Sequence, residues 1–166
     1  MTIVTSSGRA KVTLVGDTDV RIEREFDAPK ALVYRAVIEP DLIRRWWNAK
    51  RGEVTICEVD LRVGGQWRYV MTTTEGGFEV GFHGTILELV PGEKVVQTEL
   101  YEMPGLTEDM ATTNTMTLRE VDGRTLMTVV THCPTPEIRD QILQSGMEAG
   151  MQDAYDLLED VAKGLR

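Results

Sequence analysis

Cysteine and histidine are scarce in this chain of 166 residues, with two of each. Cys57 and Cys133 are too few for a disulfide framework and lack metal-site spacing. Long apolar runs are missing as well. No stretch approaches 18 consecutive apolar residues, and the opening "MTIVTSSGRAKV" lacks the apolar core of a signal peptide. The expectation is a cytoplasmic protein with no membrane insertion. Positive charge is short too: 18 basic residues face 27 acidic ones, for a net charge of -9. That balance opposes a nucleic-acid partner, which calls for a basic footprint. There is no repeat, low-complexity tract or linker, and no nucleophile elbow or phosphate loop.

What remains is an ordinary globular composition, 42% apolar and 27% charged, in a length that suits one domain with a sizeable core. Residues 10–15 alternate weakly and end in the turn "GDTD", so they make either a hairpin strand or a tail. "VRIEREF" (20–26) sets Val20, Ile22, Arg24 and Phe26 against Arg21, Glu23 and Glu25, the alternation of a half-exposed strand. "DAPKALVYRAVIE" (27–39) predicts a helix, with Asp27 as N-cap and Pro29 in its first turn. "PDLIRRWW" (40–47) predicts a second, short one.

Two of the chain's three tryptophans, Trp46 and Trp47, end that short helix inside the charged run "RRWWNAKRGE". Burying such a side chain contributes roughly 1.5–3 kcal/mol, so a solvent-facing pair has no use. The expectation is that Trp46 packs on the first helix and Trp47 lines something.

From 53 to 133 the period is two. Strands are predicted over 53–61, 66–74, 78–90 and 94–102, with a change of phase near Gly84 and an undecided facing for the last. "TNTMTLREV" and "RTLMTVVTH" flank Asp122-Gly123, a type I′ turn signal that sets Leu118 opposite Met127 and Met116 opposite Val129. Residues 136–162 read as a long amphipathic helix, capped by Thr135 and broken near Ser145-Gly146. An antiparallel sheet with one apolar face needs a cover, and only this helix is long enough to supply it.

The segments "REFDAPKALVYRAVIEPDLIRRWW", "DLRVGGQWRYVM", "GFHGTILELVPGEKVV", "VDGRTLMTV" and "SGMEAGMQDAYDLLEDVA" resemble the START-like (SRPBCC) superfamily. The closest branch is the one named for the C-terminal domain of the heat-shock-protein ATPase activator. The resemblance implies an α+β helix-grip fold, in which a curved antiparallel sheet wraps a long C-terminal helix around a largely apolar cavity. It divides the chain into a tail or extra strand over 1–18 and a single START-like domain over 19–166. The family has no universal catalytic residue to transfer. The co-chaperone also carries a separate N-terminal domain, so the branch name does not by itself assign a function here.

Three functions follow as expectations. The favoured one is binding of a small hydrophobic molecule by a carrier, sensor or stress-related protein. Its predicted lining is Trp47, Trp67, Tyr69, Met71, Phe82, Asn114, Met116, Met127, Met147, Gly150 and Met151. Methionine adapts to ligands of varied shape, and Asn114, Thr131, Tyr69 and Arg68 offer the few polar groups a pocket needs. The second is a cyclase-, aromatase- or hydrolase-like enzyme using the same space. The balance falls against it: His83 and His132 are placed on the outer face, so no catalytic residue, metal or cofactor is assigned. The third is a co-chaperone-like interaction module, for which no clear exposed patch is legible. A homodimer is favoured over a monomer, and a chaperone contact is left open.

Overall fold

The structure, a computed structural model, describes residues 9–166 in full and the backbone of residues 2–3. Strands β1 (Thr2–Ile3), β2 (Lys11–Val15), β3 (Asp19–Phe26), β4 (Gly52–Val59), β5 (Gln66–Thr73), β6 (Glu79–Val90), β7 (Lys94–Tyr101), β8 (Thr112–Val121) and β9 (Arg124–His132) form one antiparallel sheet. Their order is β1-β2-β3-β9-β8-β7-β6-β5-β4. Helices α1 (Lys30–Ile38) and α2 (Pro40–Ile43) follow β3, and α3 (Pro136–Gln144) and α4 (Met147–Gly164) end the chain. This is the curved-sheet, helix-grip architecture expected from the sequence.

The β8–β9 hairpin has the predicted register, with Met116 opposite Val129 and Leu118 opposite Met127. Asp122 and Gly123 both take positive φ, 54° and 77°, as a type I′ turn requires. Leu118 and Met127 are buried in one core cluster with Leu158 and Val161 of α4. Thr135 caps α3 by accepting a hydrogen bond from the Ile138 amide at 3.2 Å. Gly146, at φ 84°, separates α3 from α4, a left-handed turn that favours glycine.

Three local expectations need correction. Asp27 is not the N-cap of α1: that position is held by Pro29, while the Asp27 amide donates to the Glu159 carboxylate at 2.7 Å and its carboxylate pairs with Arg124. The helix starts later, after Pro29, and the Lys30 amide donates to Glu120 at 2.6 Å instead. Helix α2 stops at Ile43, so both tryptophans of the WW pair lie in the turns that follow. The phase change in β6 falls between Ile86 and Glu88, where Leu87 bulges out and is 48% exposed, rather than at Gly84.

Helix α4 is tied to the sheet by polar contacts as well as by its apolar stripe. Gln152 clamps the main chain of Ala10, accepting from its amide at 3.0 Å and donating to its carbonyl at 2.8 Å. Arg24, on the inward side of β3, is 1% exposed and pairs with Asp156 at 2.9 Å and Glu159 at 3.4 Å. Its guanidinium also lies 5.0 Å from the centre of the Phe26 ring.

Candidate functional site between the sheet and the terminal helix

Register places Trp67 and Tyr69 on the helix-facing side of β5, with Phe82 opposite Tyr69 on β6. Trp47 reaches this group from the turn after α2. Its ring meets Tyr69 edge-on at 5.3 Å and Phe82 at 5.8 Å. Trp47, Tyr69 and Phe82 are all half-buried. Trp46 behaves differently. It is 9% exposed, and its indole N–H donates to the Ala36 carbonyl of α1 at 2.9 Å, so it anchors as expected.

Across β7, β8 and β9 the inner face turns polar. Gln97 pairs with Asn114, and Asn114 pairs with Thr131. The Thr131 hydroxyl donates to Asn114 Oδ1 at 2.7 Å, which leaves Asn114 Nδ2 to donate to Glu99 Oε2 at 3.3 Å. Burial pushes the Glu99 carboxyl above the usual carboxylate range, against the opposing effect of the Asn114 hydrogen bond. Burial also raises the phenols of Tyr69 and of Tyr155 on α4, and the Glu99 charge adds to both. The carboxyl therefore sits within electrostatic reach of the sheet tyrosine and of the helix tyrosine.

Glu99 Oε1 and the hydroxyls of Tyr69 and Tyr155 have no hydrogen-bond partner among the described residues. None of the three ranks among the sealed, partnerless polar atoms, so each retains accessible surface. Glu99, Asn114, Thr131, Met116 and Tyr155 are all half-buried.

The remaining predicted lining residues are dispersed. Trp67 is 2% exposed, with its indole N–H on the Thr98 carbonyl at 3.0 Å, and Met71 (5%) and Met127 (2%) are solid core. Met147 and Met151 pack instead with Val20 and Ile22 over the N-terminal strands. Gly150 does not border open space on its Cβ side, because a methyl group there would stand 2.9 Å from Arg51 Nη1. Arg68 lies on the outer face in a two-pronged pair with Glu102, at 2.9 and 2.8 Å.

His83 is outward-facing, as expected, between Glu102 at 2.9 Å and Glu108 at 2.7 Å. The Glu108 bond does most to raise its pKa; burial opposes this by less, and the Glu102 bond adds to the rise. His132 pairs with Asp19 at 2.6 Å. Burial pushes the thiols of Cys57 and Cys133 up to about 11, away from nucleophilic character. Among the described residues, no three His, Cys, Asp or Glu side chains form a metal-holding group.

Sequence reasoning missed Glu99. Strand β7 offers no clean parity, because the loop after it covers Leu100 on the outer face and buries it to 7%. The signal was Asn114: its inward position on β8, with antiparallel pairing to Gln97, puts Glu99 inward too.

Two substitutions probe these positions. Glu99→Gln is expected to stabilise the protein near neutral pH and to make little difference at about pH 4. A carboxyl whose pKa is raised on folding resists folding once the unfolded chain ionises, and that penalty vanishes below the unfolded pKa. Chemical denaturation at both pH values measures it. Gly150→Ala is expected to stabilise by about 0.4–1 kcal/mol, since the obstructing guanidinium is the mobile end of a half-exposed side chain. A thermal melt measures that.

The sequence model described as activator of Hsp90 ATPase homolog 1-like protein matches residues 27–163, most of the chain. The chain belongs to this family. Solved structures resemble this chain closely. A Rhodobacter sphaeroides protein is 27% identical with a TM-score of 0.85, covering 94% of this chain and 99% of that one. A Nitrosomonas europaea protein is 26% identical at a TM-score of 0.79, covering 93% and 100%. A Mycobacterium smegmatis protein, 24% identical over 90% and 96% of the two chains with a TM-score of 0.78, shares the fold. No match emerges among curated proteins. Domains of this family commonly bind hydrophobic ligands or act as activator-like domains of chaperone ATPases. Among the described residues, no helix is long and apolar enough to cross a membrane.

Proposed function

We propose that the chain binds a small hydrophobic molecule between the inner face of β5–β8 and helix α4. The observation that carries this reading is the set of unpartnered polar atoms on Glu99, Tyr69 and Tyr155. All three side chains are held deep enough for burial to shift their protonation, yet each keeps accessible surface. A close-packed core would leave such groups either paired or sealed, at a cost of about 1–3 kcal/mol each when unpaired. An apolar site with a few converging polar groups is the usual form of a ligand pocket. Trp47, Tyr69, Phe82 and Met116 would form its apolar wall. Native mass spectrometry of the freshly purified protein tests this, with a co-purified mass of a few hundred daltons expected. The bare chain mass, from material made in several hosts, would count against it.

A second reading, a protein-interaction module, is favoured by one feature. An open depression of about 520 Å³ lies beside His83 on the outer face, next to Met103, which is 54% exposed. The two sites lie on opposite faces of the sheet, so ligand mapping separates them.

A further inference from the structure

The inner wall is selective in its charge and in its hydrogen-bonding sense. Asn114 is fixed in orientation, with Oδ1 taken by Thr131 and Nδ2 turned to Glu99 Oε2. The groups left over are Glu99 Oε1, the Tyr69 hydroxyl and the Tyr155 hydroxyl, contributed by β7, β5 and α4. The two phenols each bring an O–H donor, and burial favours the O–H form of Glu99, so together they call for an acceptor. The buried cation of this face, Arg24, is already committed to Asp156 and Glu159.

We propose that the molecule bound between sheet and helix is uncharged and carries a carbonyl oxygen, which docks at Glu99, Tyr69 and Tyr155. This rests on the ligand-binding reading above and narrows it. A carboxylate ligand would lose its hydration and find the buried Arg24 already paired. An ammonium ligand would also lose its hydration, meet a carboxyl whose charged form burial disfavours, and leave both phenol O–H groups without an acceptor. A carbonyl accepts from two or three of the donors at once and adds no charge. Burial, which holds the Glu99 carboxyl above its ordinary pKa, shifts it toward its donor form.

Three probes on one carbon frame test the idea by calorimetry near pH 7: 2-acetylnaphthalene, 2-naphthoate and 2-naphthylmethylammonium. The ketone is expected to bind about tenfold or more tightly than either ion. Glu99→Leu should weaken ketone binding about tenfold and flatten the preference. Glu99→Gln, which keeps an N–H donor, should retain most of the ketone affinity. Melting curves of both variants establish that they are folded. The proposal is overturned if naphthoate or the ammonium binds as tightly as the ketone, or if the preference survives in Glu99→Leu. If the natural protein takes up none of the three, the ligand-binding reading falls and the narrower claim falls with it.

Discussion

Glu159→Ala is expected to lower the folding free energy by about 3–5 kcal/mol, because it strips a buried cation of its best-sheltered partner. The Arg24 side chain has no exposed surface, and that of Glu159 is 10% exposed. The remaining partner, Asp156, is half in water at 50% exposure. Glu159 also accepts the Asp27 amide at 2.7 Å and pairs with Arg9. Burial alone would raise its carboxyl pKa, but the Asp27 amide, Arg9 and Arg24 together hold it below the usual carboxylate range. The contribution is therefore present near neutral pH and lost as the pH falls through the lowered pKa. Urea denaturation near pH 7 measures the effect, and a loss under about 1 kcal/mol would show that the cluster is replaceable.

Gly84→Ala is expected to destabilise by about 3 kcal/mol, at the upper end for an overpacked position. A methyl group at Gly84 would lie 1.8 Å from the Thr98 carbonyl oxygen and 2.7 Å from the Trp67 indole nitrogen. Both contacts belong to one arrangement, since Trp67 donates to that carbonyl across the bare glycine at 3.0 Å. Backbone of β7 cannot retreat without parting from β6 and β8, and Trp67 is 2% exposed with no room to turn. Thermal melts and the emission of Trp67 report the change together. An unaltered melt would mean that the strands are not held this closely.

The contrast between these positions shows what a linear pattern can carry. Asp122-Gly123 dictates a turn geometry, and that geometry imposes the pairing of Met116, Leu118, Met127 and Val129. The terminal helix, its Thr135 cap and its break at Gly146 are equally local, so the chain spells them out. Trp46 follows from spacing on a helix, even though the helix ends early. The wall of the candidate site is not local. Met147 and Met151 share the stripe of α4, but the first turns of that helix lie over the N-terminal strands, which periodicity cannot reveal. Glu99 sits on a strand whose outer face is covered by a loop, so its alternation is blurred. Gly150 looks like room left for a ligand until Arg51, almost a hundred residues earlier, is seen beside it.

Methionine supplies the most direct test of where a ligand goes. Met116 is half-buried on the inner face, beside the Asn114 and Glu99 line, while Met103 borders the outer depression. A spectrum of the protein labelled with carbon-13 at its methionine methyl groups separates the two as 2-acetylnaphthalene is added. Binding between sheet and helix is expected to shift Met116 and to leave Met103 in place. Shifts confined to Met103, with Met116 unmoved at saturation, would contradict a ligand site under the terminal helix.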